Sequence, residues 1–247
     1  VSNQTVTELH FDSGTLVVPT LPDDGALRAL FCKDGRTGVF RAPAYRYRDV
    51  VVRLKALGVA FEDKARLFEE IAVSLIQPLT PFPHQREALE SWLHAGKRGL
   101  VELPTGAGKT LLAVMAIAET KRSTLVVVPT LDLMAQWQGV LSRHLNQRVG
   151  LLGGGVSDRQ PLTVTTYDSA QQQTEFHGNR FGLLICDECH HLPAPSYRFI
   201  AEGSLAPFRL GLTATLARAD GGERVCEELL GPRVHQSEIH TLKGEYL

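Results

Sequence analysis

The stretch VELPTGAGKT, residues 101–110, constrains this chain more than any other. It joins an apolar run, GLVEL (99–103), to an Ala-rich apolar segment of helical character, LLAVMAIAET (111–120). A buried strand that turns through two glycines straight into a helix presents backbone N–H groups and the positive end of the helix dipole to one point, which suits an anion. Thr105, Gly106, Ala107 and Gly108 are the residues whose backbone would close around phosphate oxygens. Lys109 brings a positive charge to the β- and γ-phosphates, and Thr110 offers its hydroxyl to Mg²⁺. The strict phosphate-loop pattern has a glycine where this chain has Leu103, and Gly106 supplies the flexibility instead. The competing reading is an ordinary glycine-rich turn. The Gly-Lys-Thr run in a strand–loop–helix setting weighs against it, so ATP and Mg²⁺ are the expected cofactors.

A loop of this kind needs a parallel sheet around it, and the surrounding pattern agrees. TLVVVPT (124–130), PLTVTTY (161–167), FGLLICD (181–187) and FRLGLTAT (208–215) read as further strands, and QREALESWLHA (85–95) as a helix. LDLMAQWQGVLSRHL (131–145) places Met134, Trp137, Leu141 and Leu145 on one helical stripe. Near-continuous apolar strands between helices imply an α/β fold with a parallel sheet covered on both faces. Before residue 78 the composition differs. TLVVPTL (15–21), ALRALFC (26–32) and TGVFRAP (37–43), separated by Gly and Asp-Gly, read as β-hairpins. A helix in RYRDVVVRLKALG stops at Gly58. The expected division is a small α+β unit over 1–76, a proline-rich linker over 77–84, and the α/β unit over 85–247.

The hexapeptide CDECHH, residues 186–191, reads in three ways. Cys186, Cys189 and His190 have the spacing of haem attachment, and with His191 they supply part of a zinc site. Haem attachment needs an exported chain and a distal ligand. Structural zinc draws on two knuckles, and no second C-x-x-C or H-x₃₋₅-H pair follows. In the third reading the apolar run Leu183–Cys186 delivers Asp187 to a Mg²⁺ ion beside the phosphates, with Glu188 activating the attacking water. This reading agrees with the phosphate loop, and the cysteines then only pack.

Taken together, PTGAGKT, VVVPTLDLMAQW, TVTTYDSA, DECH and LGLTATLARADG resemble the ordered motifs of superfamily 2 helicases. The family likeness is to repair helicases of the xeroderma pigmentosum group B (XPB) type. The resemblance implies a RecA-like phosphate-loop domain preceded by a damage-recognition domain, and an ATP-dependent, 3′–5′ DNA helicase or translocase. It implies catalytic roles for Lys109, Asp187 and Glu188, Mg²⁺ binding by Thr110 and Asp187, and adenine contact by Gln85. It further implies coupling of nucleotide state to DNA through His190, Thr213 and Thr215, and DNA contacts by Pro129, Thr130, Thr165, Thr166, Arg218 and Asp220. The single threonines also fit helix N-caps, with no DNA role. Two positions depart from the family: Phe82 replaces an arginine near Gln85, and Ala219 replaces the acid of an Arg-Glu-Asp element. In FRAPAYRYRDVVVRLK, Phe40, Tyr45 and Tyr47 alternate with Arg41, Arg46, Arg48 and Arg53, which suits DNA or a solvated basic helix face.

The family holds ATP between two RecA-like domains, and no sequence resembling the second follows the last motif. The expectation is therefore a nucleotide half-site, feeble or inactive by itself, that needs a second RecA-like domain. The partners expected are single-stranded, forked or damaged duplex DNA and a repair nuclease, with no membrane. A net charge of −1 demands no nucleic acid, though a local basic patch would suffice. Four scattered cysteines and no secretory leader suit a reducing cytoplasm, at the nucleoid in a prokaryote. Two rival functions stay open: a restriction-type DNA-translocating subunit, and a non-enzymatic DNA-binding module gated by nucleotide.

Overall fold

A computed structural model of the chain describes residues 6–216 and 221–237. The first unit is a five-stranded sheet. Thr7–Asp12 (β1) and Thr15–Val18 (β2) form a hairpin that turns on Ser13 and Gly14, both at positive φ. After Gly25–Arg28 (α1) come Cys32–Lys33 (β3), Phe40–Pro43 (β4), Tyr47–Ala56 (α2) and Phe61–Asp63 (β5). The strand order is β3-β4-β2-β1-β5, antiparallel except for the β1–β5 pair. The sequence reading made 26–32 a hairpin strand. The structure shows α1 there, because the Asp24 carboxylate accepts from Leu27 N at 2.8 Å and caps one helical turn. Leu9, Leu16, Leu27, Val50 and Leu54 close this unit's core, and α2 ends where expected, with Gly58 at φ 65°.

The second unit holds the phosphate loop. Its elements are Pro83–His94 (α3), Arg98–Glu102 (β6), Lys109–Thr120 (α4), Thr124–Val128 (β7) and Leu131–His144 (α5). Val149–Gly153 (β8), Val156–Asp158 (β9), Leu162–Thr166 (β10), Tyr167–His177 (α6) and Leu183–Asp187 (β11) follow. Arg198–Glu202 (α7), Phe208–Thr213 (β12), Gly222–Leu230 (α8) and Arg233–Gln236 (β13) complete it. The strands order as β13-β6-β12-β11-β7-β10-β8-β9, every neighbouring pair parallel but the last. One face is covered by α3, α4 and α5 through Trp92, Leu112, Ile117, Trp137 and Leu141. The other is covered by α6, α7 and α8 through Tyr167, Ile200, Cys226 and Leu229. This is the mixed α/β architecture expected, with a RecA-like sheet behind a small α+β unit.

Residues 66–76, expected in the first unit, run across the second. Ser123 N donates to Glu69 O at 3.0 Å, Ile71 N to Lys121 O at 3.1 Å, and Ile76 N to His144 O at 2.8 Å. Ile71 and Val73 enter the core formed by α3, α4 and α5. Two apolar side chains that this core can bury outweigh the loop character suggested by the prolines that follow. Those prolines also start a helix: Pro83, read as linker, is its first residue, where its missing N–H costs no bond.

Candidate nucleotide site

The carboxyl ends of β6, β11 and β12 meet at one edge of the sheet, the position where ligands bind in open α/β sheets. The loop after β6 is tied back to β12 by Leu103 N donating to Thr213 O at 3.0 Å. Gly106 and Gly108 sit at φ 85° and 81°, conformations that a side chain rarely adopts. At Gly108 a Cβ would also lie 2.1 Å from Gln85 Nε2. That glutamine is 1% exposed; its Oε1 accepts from Phe82 N at 3.0 Å and its Nε2 donates to Ala107 O at 3.0 Å. His84 Nε2 lies 3.0 Å from the same carbonyl. The amide of Gln85, the residue expected to contact adenine, bridges the start of α3 and the loop.

Lys109 opens α4 and points across the cleft. Its Nζ donates to Leu103 O at 3.3 Å and lies 3.4 Å from Glu188 Oε1. Beside them is a cleft of about 340 Å³, lined on one side by the loop and Thr110, and on the other by Leu133, Gln136 and Trp137 of α5 with Asp187 and Glu188. Asp187 is 6% exposed at the end of β11. Its Oδ2 accepts from Trp137 Nε1 at 2.9 Å and its Oδ1 from Glu188 N at 3.1 Å. Burial pushes its pKa above the usual carboxylate value. The Trp137 hydrogen bond and the Lys109 charge act against that rise, and the Glu188 charge adds to it. Glu188 takes a left-handed conformation, φ 47° and ψ 52°, which turns the chain sharply out of the strand.

From Glu188 a polar chain leads to β12. His190 Nδ1 lies 3.0 Å from Thr213 Oγ1 and 3.4 Å from Glu188 Oε2, and Thr215 N donates to Thr213 Oγ1 at 3.2 Å. His190 and Thr213 thus touch Glu188, and Thr215 is joined to it through Thr213.

The expected DNA residues divide. Pro129 and Thr130 follow β7, with Thr130 exposed and capping α5 by accepting from Leu133 N at 3.2 Å. Thr166 caps α6 in the same way, accepting from Ser169 N at 3.3 Å, and is 5% exposed. Thr165 is 1% exposed and donates its hydroxyl to Leu152 O at 2.7 Å. Arg218, Asp220 and the substituted Ala219 lie outside the described residues.

The arginines of 40–55 are occupied elsewhere. Arg41 pairs with Asp12 and Asp34, Arg53 with Asp24, and Arg46 with Asp49 and Glu228. Arg48 donates to Gly96 O at 2.8 Å, in the second unit. Tyr45 and Tyr47 are buried, with their hydroxyls on Glu228 and Asp63. In this stretch the aromatic and basic residues take part in packing, ion pairs and contact between the units.

Cys186 lies inside β11, and burial pushes its thiol up to about 12. Cys189 and Cys226 share its apolar cluster, with Cys226 Sγ donating to Cys189 O at 3.2 Å. Among the described residues, no group of three His, Cys, Asp or Glu side chains is placed to share a metal ion. Trp137 is what the sequence reading missed at this site. It was read as part of an apolar stripe, and only the adjacency of β7 and β11 brings its indole N–H to Asp187.

Two family models match the chain. Residues 9–65 match the xeroderma pigmentosum group B helicase damage recognition domain, and residues 78–218 the res subunit of type III restriction enzymes. The DNA 3′-5′ translocase XPB2 of Sulfurisphaera tokodaii is 38% identical over 219 residues, 83% of this chain and 50% of that protein. The DNA 3′-5′ helicase XPB of Mycobacterium tuberculosis is 37% identical over 66% of this chain and 31% of its own length. The chain therefore spans half the length of the first relative and about a third of the second. Among solved structures, the UvsW helicase of bacteriophage T4 superposes with a TM-score of 0.54 at 18% identity, covering 94% of this chain and 100% of that one. That likeness extends the shared fold across both units. With the damage-recognition match on the first unit, the helicase-type match on the second and the identity to XPB proteins, the chain belongs to the XPB-type superfamily 2 helicases.

Proposed function

We propose that the protein is part of an ATP-dependent DNA helicase or translocase, acting 3′–5′ in DNA repair or transcription-linked DNA opening. The observation that carries the reading is the cleft in which Lys109, Thr110, Asp187 and Glu188 face one another at the carboxyl edge of the sheet. The residues fit a Mg²⁺-bound nucleotide. Gly106 and Gly108, both at positive φ, line the cleft with backbone, and a buried carboxylate stands beside a lysine and a threonine hydroxyl. Lys109 would leave Glu188 for phosphate oxygens, and Thr110 with Asp187 would hold the metal. When bound, the metal offsets negative charge building on the phosphates. Glu188 would then orient a water and accept its proton, while His190 and Thr213 sense the same carboxylate and pass its state to β12. Pro129, Thr130 and the Thr166 cap are the DNA-backbone contacts proposed at this edge.

The damage-recognition match over residues 9–65 favours the XPB-type motor over a restriction subunit. A second RecA-like domain, DNA and a repair nuclease are the proposed partners. The test is DNA-stimulated ATP hydrolysis by the full-length protein with and without Lys109→Ala. Loss of stimulated turnover with the fold intact supports the assignment; near-normal turnover in the variant overturns it.

A further inference from the structure

We infer that Trp137 is a positioning residue for Asp187, holding the carboxylate in the orientation that binds the metal. The inference rests on the proposed nucleotide reading and extends it to a residue on a different element. Asp187 is fixed at three points. Its backbone carbonyl accepts from Tyr167 Oη at 2.9 Å, its Oδ1 from Glu188 N at 3.1 Å, and its Oδ2 from Trp137 Nε1 at 2.9 Å. The first two come from the chain around β11 and from α6, and they set where the residue stands. The third sets how the carboxylate is turned. A buried carboxylate without that partner would rotate toward the nearest cation, and Lys109 is adjacent.

The donor is well suited to orienting. An indole N–H is neutral, so it directs one oxygen without competing with a metal for the charge of the group. Trp137 is 1% exposed and belongs to the same core as Met134 and Leu141, which restricts its ring. Its helix, α5, is capped at Thr130, seven residues earlier, at the proposed DNA edge. At about 1.5 Å per residue, that places the positioning residue about 10 Å along a rigid helix from the cap. The helix thereby links the proposed DNA contact to the metal carboxylate through one hydrogen bond.

The test replaces the N–H alone. Trp137→Phe in the full-length protein removes the donor, and site-specific 3-benzothienylalanine at 137 keeps the bicyclic shape with sulfur in place of N–H. Binding of a fluorescent non-hydrolysable ATP analogue is titrated with Mg²⁺, and repeated in EDTA. In both variants the Mg²⁺ concentration for half-saturation should rise about tenfold, the size expected for losing a hydrogen bond to a charged group, with metal-free binding unchanged. An unchanged Mg²⁺ requirement in the sulfur variant overturns the inference. So does an equal loss of metal-free binding, which would mark Trp137 as packing only. Wild-type protein and Lys109→Ala serve as controls. If wild-type protein shows no Mg²⁺-dependent binding, the nucleotide reading falls and this inference with it; if it does and the Trp137 variants match it, this inference alone falls.

Discussion

Lys109 and Glu188 lie 3.4 Å apart, yet their partnership contributes little to the fold. Glu188 also has His190 and Thr213 within reach, and partly exposed pairs contribute about 0–1 kcal/mol. Both side chains are therefore free to serve a ligand at small cost. Glu188→Gln keeps the shape and removes the proton acceptor. Hydrolysis by the full-length protein should fall at least about 100-fold, while analogue binding changes less than about threefold, measured by turnover and fluorescence titration. Gly108→Ala should behave differently: a methyl at φ 81°, 2.1 Å from the Gln85 amide, must push that amide aside. We expect a loss of about 1–3 kcal/mol in chemical denaturation together with loss of nucleotide binding. At this scale the site was legible wherever its chemistry is local in sequence, as in Gly106–Thr110 and Asp187–Glu188. Trp137 was not, because its role depends on which elements lie side by side.

The buried parallel strands were readable because burial on both faces writes a continuous apolar run, as in Thr124–Val128 and Leu183–Asp187. The short helices were not. In α6, Tyr167–His177, the run QQQ gives no apolar stripe, and the helix is set by the Thr166 cap and by Tyr167 and Ala170 reaching the core. The turn through Gly153, Gly154 and Gly155, all at positive φ, hid the β8–β9 hairpin behind a run that looks like loop. Capping gives the element-scale prediction. Thr130→Val keeps the volume of the cap and deletes the hydroxyl that accepts from Leu133 N. It should cost about 1 kcal/mol in equilibrium unfolding, and should reduce DNA stimulation of turnover more than basal turnover. Equal reduction of both rates would limit Thr130 to capping.

Across the whole molecule the two sheets are joined through polar and apolar contacts together. Tyr45 enters the second unit's core and bonds Glu228 of α8 at 2.8 Å; Arg48 reaches Gly96 O; Asn179 Nδ2 donates to Ala65 O at 2.8 Å. Removing residues 1–76 would strip Ile71 and Val73 from the nucleotide unit as well, so such a truncation tests stability before it tests DNA binding. The first unit also carries its own acid sensitivity. Hydrogen bonds from Arg53 and from Leu27 N hold the Asp24 carboxyl down at about 2, and Arg41 holds Asp12 below its ordinary value. A carboxylate whose folded pKa lies below its unfolded value of about 3.9 adds stability above that pH, and the gain is lost as pH falls toward 2. Asp24→Asn removes the titrating group and the ion pair with Arg53 together. The variant should be less stable at pH 7 than the wild type, and the difference should shrink steadily between about pH 4 and pH 2. Urea melts across that range, followed by a probe in the first unit, measure it. A difference that stays constant with pH would mean that the cap, and not the ionised pair, is what Asp24 contributes.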